Sequence, residues 1–190
     1  MVPPAVPLPE RVTTPRLVLR TWAPADTALL GRAVADSLDH LRPWMSWTAD
    51  EPLTGQARLE VIRTFERDRR AGREVVYGAF RGDTVVGGTG FHRRRGPAVV
   101  EIGYWVHVHH LGQGYATEMA RALTDTAFAL AGVDRVEIHH DRANRRSRAV
   151  PAALGFVSAG EQPDERLAPA EEGIDCRWIM TRSAWTRARD

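Results

Sequence analysis

The stretch from Glu101 to Leu123, EIGYWVHVHHLGQGYATEMARAL, constrains this chain more than any other. An apolar strand runs into a turn that holds Gly112 and Gly114, and a helix begins directly after it. The first turn of a helix has backbone N–H groups without intrahelical partners, and the helix dipole sets its positive end there. Glycine lets a bound group approach the bare backbone and permits the positive φ that such a turn needs. The stretch therefore reads as an anion cradle. Along the helix Gly114–Ala131, apolar residues recur at Met119, Leu123, Ala127 and Leu130, the spacing of one helical face. A further strand follows at Arg135–Asp141, so the segment is a strand–helix–strand crossover within one sheet.

The remaining elements surround this unit. Arg16–Trp22 alternates as a strand does, with Leu17 and Leu19 on one face. Pro24 opens a helix to about Leu38, and Thr54–Ala71 reads as a polar helix with Leu59, Ile62 and Phe65 on one side. Glu74–Arg81, the Gly82-Asp83 turn and Thr84–His92 form a β-hairpin, and a turn at Arg95-Gly96-Pro97 leads into the central strand, Ala98–Val108. A short helix ends at Leu154-Gly155, followed by an antiparallel pair, Gly155–Gly160 with Ile174–Arg182. The Pro- and acid-rich connector Glu161–Gly173 reads as a surface loop. The fold class expected is α+β, with a mixed, mostly antiparallel central sheet flanked by helices. Residues 1–15 are expected to be a flexible arm and residues 16–190 a single domain.

Composition narrows the function. The 26 basic residues, all arginine, nearly balance 24 acids, and the net charge of +2 argues against nucleic acid as a partner. Two arginine clusters stand out locally, Arg93 to Arg95 and Arg142, Arg145, Arg146 and Arg148; each is either solvated surface or a holder of further phosphates. Cys176 is the only cysteine, so no internal disulfide can form. The Pro-rich N-terminus is not a signal peptide and no run approaches a membrane span, so the chain reads as cytoplasmic. Histidines are dense at 107, 109, 110, 139 and 140, yet no carboxylate or thiol completes a recognisable ligand spacing, and no metal is expected.

A glycine turn between strand and helix also suits a dinucleotide site. The third glycine of that fingerprint is Thr117 here, and a hairpin and two helices come first, although Asp141 stands where a ribose-binding acid would. A Walker A loop is excluded, because no Gly-Lys-Ser/Thr follows. No nucleophile elbow accompanies the histidines, which excludes a thioester hydrolase triad.

EIGYWV followed by LGQGYATE resembles the acetyl-CoA-binding motif of the GNAT N-acetyltransferases, and Asn144–Phe156, NRRSRAVPAALGF, is similar to their second signature. RLVLRTWAPAD near the start and HLRPWMSW at His40–Trp47 resemble the RimJ/RimL-type branch, which acetylates ribosomal-protein N-termini. The resemblance runs from about Arg16 to Trp185 and implies the GNAT fold, with acetyl-CoA as acyl donor and a protein α-amine as acceptor. A small-molecule amine (antibiotic, amino acid or polyamine) is the alternative acceptor, and a non-catalytic CoA- or RNA-binding module the alternative of another class. Relatives are often dimers, so a homodimer is implied too. By resemblance, Gly112, Gln113, Gly114, Tyr115, Ala116 and Thr117 would hold the pyrophosphate, and backbone around Tyr104 and Val106 would pair with the pantetheine arm. Leu111 departs from the Gln or Arg usual at that position.

Acetyl transfer to an amine needs a neutral amine, a stabilised oxyanion and a protonated leaving thiolate. An α-amine has a pKa of about 7.7–8.0, so a base must help at neutral pH. Glu101 is the candidate: it shares a strand face with Gly103, Trp105 and His107, which suggests a polar cavity with His107 as a relay. The oxyanion would meet a backbone N–H near Val106. Ser147 occupies the position from which some relatives protonate the thiolate. It has a structural rival, because Pro151 is best tolerated in a first turn, which would make Ser147 a helix N-cap. Asn144 is either a loop cap or a contact to the cofactor's amide. Trp44 and Trp47 would form part of the acceptor pocket by resemblance, and Cys176 is read as an inert strand residue.

Overall fold

The computed structural model describes residues 8–96 and 98–187. Strands β1 (Arg11–Thr13) and β2 (Val18–Thr21) come first, then helices α1 (Thr27–Leu41) and α2 (Gly55–Arg70). Strands β3 (Glu74–Arg81), β4 (Thr84–His92) and β5 (Val99–Val106) follow, and then α3 (Tyr115–Ala129) and β6 (Arg135–Asp141). The chain continues through α4 (Arg145–Ala153), β7 (Val157–Pro163), β8 (Ile174–Thr181) and α5 (Arg182–Arg187). Among the described residues, the eight strands form one sheet in the order β1-β2-β3-β4-β5-β6-β8-β7. Every neighbouring pair is antiparallel except β5 and β6, which the α3 crossover makes parallel. The expected α+β class and mixed sheet hold, and this topology excludes the doubly wound parallel sheet of a dinucleotide fold.

Helices cover both faces of the sheet. Leu30, Ala33 and Val34 of α1 and Ile62 of α2 pack with Trp22, Phe80 and Val85 on one side. On the other, Met119, Ala120, Leu123 and Ala127 of α3 pack on Leu19, Tyr77, Phe91 and Ile102. The helical stripe read from the sequence is thus the buried face of α3, with Met119, Leu123 and Ala127 fully enclosed.

Four expectations change. The irregular arm over 1–15 does not extend to Arg11–Thr13, which pair with β2 as an outer strand; Pro15 lies in the connecting turn, where a missing N–H costs nothing. Helix α4 starts at Arg145, so Ser147 is not its N-cap; Asn144 is, its Oδ1 accepting from Ser147 N at 3.1 Å. Pro151 consequently stands inside the helix rather than in its first turn. Of the expected connector Glu161–Gly173, the first three residues belong to β7; the rest is the surface loop expected, tied down where Ala170 N donates to Pro43 O at 3.0 Å. Pro97 of the expected turn, residues 1–7 of the arm and residues 188–190 lie outside the described residues.

Candidate active site

The decisive local feature is where β5 leaves β6. The two strands pair over only three positions, Val99 with Arg135, Val100 with Val136 and Glu101 with Glu137. Beyond them β6 stays paired with β8 as far as Asp141 opposite Asp175. From Ile102 to Val106, β5 therefore has no strand partner on that side, a free edge roughly 16 Å long at strand rise. Free N–H and C=O groups along such an edge bind an extended ligand as an added strand would.

At one end of this fork lies the glycine turn. Gly112 (φ 72°) and Gly114 (φ 77°) both have left-handed backbone, and Gly114 is the N-cap residue of α3. A side chain at either position would be strained, which is why the turn needs glycine there. The first turn of α3 carries Tyr115, Ala116 and Thr117, whose N–H groups lack intrahelical acceptors by position. Of this expected phosphate set, Tyr115 has only its backbone to offer: its ring is buried, and Arg16 lies 4.6 Å over it.

A cavity of about 580 Å³ opens into the fork, and six of the expected residues line it: Trp44, Trp47, Glu101, Tyr104, Asn144 and Ser147. Val106 and residues 112–117 do not line it; they belong to the turn end of the fork. Trp47, 45% exposed, tilts against Trp105 with ring centroids 6.4 Å apart. Trp105 reaches that place because its strand partner is Gly88, where an added Cβ would stand 2.5 Å from the indole Nε1. Glu101 is half-buried, with Arg94 Nη1 at 3.7 Å from its carboxylate. Asp164, Glu165, Leu167 and Glu171 of the fastened connector form part of the wall.

Ser147 and Tyr104 meet inside the fork. Pro151 has no N–H to give the carbonyl of Ser147, four residues earlier. The Tyr104 hydroxyl takes up that vacancy, donating to Ser147 O at 3.0 Å, and lies 3.2 Å from Ser147 Oγ. Burial raises the Tyr104 pKa well above the ordinary phenol value, so this hydroxyl keeps its proton. Asn144 spends its side-chain oxygen on the cap.

The structure adds a charged network that the sequence reading did not assemble. Glu137 is fully buried beside Glu101, its parallel-strand partner. His139 bridges two acids, Nε2 at 2.9 Å from Glu137 Oε2 and Nδ1 at 3.0 Å from Asp175 Oδ2. A carboxylate at each nitrogen favours the doubly protonated ring. Burial opposes that charge, but Asp175 and Glu137 outweigh it and raise the His139 pKa. Arg135 Nε stands 2.7 Å from Glu137 Oε1 without the alignment of a hydrogen bond, and Arg95 Nε lies at 3.6 Å. One signal was available: strand alternation sets Glu137 and His139 on one face of β6. Asp175 comes from β8, which periodicity cannot align with β6.

Other histidines resolve differently. His107 ends beyond β5, with Nε2 3.5 Å from Asp36 Oδ2 of α1, and does not line the cavity, so it is no relay for Glu101. His140 accepts from Trp178 Nε1 at 3.0 Å, which leaves its proton on Nδ1, 2.8 Å from Asp141 O. Asp141 binds no ribose: its carboxylate accepts from the backbone N–H groups of Ala143, Glu172, Gly173 and Ile174 and ties the connector down. Burial opposes its charge, yet those donors hold its pKa below the usual range. Burial pushes the Cys176 thiol up to about 11, the behaviour of an unreactive cysteine. Among the described residues, no group of three or more His, Cys, Asp or Glu side chains could hold a metal ion.

Residues 16–157 match the family described as Acetyltransferase (GNAT) domain. The chain belongs to the GNAT acetyltransferase family. A relative, YdaF of Bacillus subtilis (strain 168), is provisionally assigned as a ribosomal N-acetyltransferase; it is 25% identical over 149 residues, 78% of this chain and 81% of YdaF. Among solved structures, RimL, a ribosomal L7/L12 α-N-protein acetyltransferase in complex with coenzyme A, superposes with a TM-score of 0.84 at 18% identity, over 92% of this chain and 99% of RimL. The microcin C7 self-immunity acetyltransferase MccE, in complex with acetyl-CoA and AMP, gives 0.81 at 15% identity, over 88% of this chain and 93% of MccE. At these identities the structural likenesses establish the GNAT fold. No helix of the described residues is long and apolar enough to cross a membrane.

Proposed function

We propose that this GNAT enzyme moves an acetyl group from acetyl-CoA directly to an amine, and that the acceptor is a protein N-terminal α-amine. The observation that carries the reading is the parting of β5 from β6 between the glycine turn and the cavity. A ligand with an anionic end, an extended amide-bearing arm and a reactive tip matches that order of features. Gly112 to Thr117 would hold the diphosphate on backbone N–H groups, and the free edge around Tyr104 and Val106 would pair with the arm. Bound there, acetyl-CoA supplies an acyl group activated as a thioester.

The chain's own residues have three tasks. Glu101, on the cavity side, takes the proton that the attacking amine must lose, directly or through a water. A backbone N–H near Val106 stabilises the oxyanion. Ser147 donates a proton to the departing thiolate, whose pKa is roughly that of a cysteine, about 8.5, and regains one from water, while Glu101 returns the amine's proton to solvent. Trp44, Trp47 and Trp105 form an aromatic wall that orients the acceptor and keeps water away from the reacting amine. The likeness to RimL and YdaF favours a peptide acceptor. The proposed setting is the cytoplasm, with a homodimer as the assembly to check by light scattering.

The test is an acetyl-CoA consumption screen over peptide N-termini, polyamines, aminoglycosides and amino acids. Peptides with a free α-amine are expected to be turned over, and the same peptides blocked at that amine are not. Turnover of polyamines or aminoglycosides alone would replace the acceptor while keeping the chemistry. Failure to bind acetyl-CoA would end the reading.

A further inference from the structure

The turn that opens α3 brings no cation of its own. Residues 111–117 read Leu-Gly-Gln-Gly-Tyr-Ala-Thr, so a diphosphate held there would meet only neutral donors, backbone N–H groups and the side chains of Gln113 and Thr117, from this segment. A guanidinium arrives from a distant part of the chain. Arg16 stands between β1 and β2 and is fastened to the turn by several contacts. Its backbone N–H donates to Glu118 Oε1 at 2.9 Å and its Nε to Glu118 Oε2 at 2.6 Å. Nη1 donates to Gln113 O at 3.0 Å, and the guanidinium lies over the Tyr115 ring. These contacts fix the guanidinium plane. Nη2 takes part in none of these hydrogen bonds and lies 3.6 Å from the point where a Cβ on Gly114 would stand.

Glu118 makes this placement informative. A carboxylate in the first turn of a helix suits the helix dipole, but it repels any anion bound at the same helix end. Here that carboxylate receives Arg16 twice and Thr14 Oγ1 at 2.6 Å, so its charge is answered locally. Burial opposes the Glu118 charge, and these partners outweigh it and hold the pKa low, so an ionised carboxylate stands there at neutral pH. Without Arg16, the anion site would face an uncompensated negative charge.

We propose that Arg16 is a diphosphate-binding residue of the donor site, with Nη2 directed to the anion while Nε and Nη1 lock the turn and cancel Glu118. The assignment rests on the donor reading above. Arg16 supplies from the β1–β2 turn the charge that Leu111 does not carry.

The test compares wild type with Arg16→Gln, titrating CoA, 3′-dephospho-CoA and pantetheine, with the melting temperature as a folding check. The expected result is a loss of at least about 10-fold in affinity for both CoA and 3′-dephospho-CoA, and no change for pantetheine, which has no diphosphate. Wild-type affinity should also fall more steeply with added salt than that of the variant, because a charged contact is screened. Arg16→Gln combined with Glu118→Gln should recover part of the loss. Equal salt slopes would mean that Arg16 only holds the turn, and equal losses for all three ligands would mean general damage; either overturns the assignment. A loss for CoA alone would move the contact to the 3′-phosphate and overturn it as well. If wild type binds neither CoA nor 3′-dephospho-CoA, the donor reading fails along with it, an outcome visible without any variant.

Discussion

At the scale of single residues, the proposed chemistry turns on Glu101. Its carboxylate faces the cavity with one cation, Arg94, at 3.7 Å, and the buried Glu137 network lies beside it on β6. If Glu101 removes the amine proton, Glu101→Gln should slow turnover by about 100-fold near neutral pH, the lower end of what general base catalysis supplies. The deficit should shrink above pH 8, where an α-amine with a pKa of about 7.7–8.0 is already neutral. Steady-state kcat/KM of both proteins from pH 6 to 9.5 checks this, and a constant ratio across that range would remove Glu101 from the base role. The sequence made Glu101 visible through period-2 alternation alone, because Gly103 beside it on the same face signals space. The residues around Glu101 were not visible in the same way. His139 was noticed only as part of a histidine cluster, and its partner Asp175 depends on the β6–β8 register, a long-range pairing that local pattern does not encode.

At the scale of elements, α4 shows how one missing donor organises a site. Pro151 frees the Ser147 carbonyl, and Tyr104 reaches across the fork from β5 to satisfy it at 3.0 Å. Tyr104→Phe should therefore leave that carbonyl unsatisfied and cost about 1–3 kcal/mol of stability. In a Pro151→Ala background the new backbone N–H at position 151 can take over the carbonyl, so the same Tyr104→Phe change should cost clearly less. Urea unfolding of the four proteins of this cycle measures the coupling, and strictly additive losses would show that the two residues do not share the carbonyl. This element is also where the sequence reading went astray. A preference for proline in the first turn placed the helix start near Ser147, whereas capping by Asn144 sets it at Arg145 and tertiary bonding tolerates Pro151 within. Where local preference and local need coincide, as in the Gly82-Asp83 hairpin and the glycine turn before α3, the elements were legible to within a residue or two.

At the scale of the whole molecule, the charge network spans the sheet where it forks, so stability and the candidate site share titrating groups. His139 is flanked by Glu137 and Asp175, with Glu101, Arg95 and Arg135 facing the same cluster. Its folded-state pKa is raised above the ordinary 6.5, so its contribution is fully present below about pH 6.5 and is lost as pH rises through the folded value. The carboxylates behave in the opposite sense. For Glu74, the His92 bond, against burial and with help from Arg94, lowers the pKa; for Asp175, the His139 and Gln162 bonds outweigh burial and do the same. Their contribution is present above the unfolded values of roughly 4 and is lost as pH falls through the lowered ones. Stability should therefore be greatest in a band between about pH 5 and 6.5, with a decline on the alkaline side that belongs to His139. Melting temperatures of wild type and His139→Gln from pH 4 to 9 separate the two arms. The variant should melt lower throughout the acidic part of the range and converge on wild type as the histidine loses its proton. A constant gap between the two curves would mean that His139 packs there without titrating, and the raised proton affinity of the network would then have no part in holding the forked sheet together.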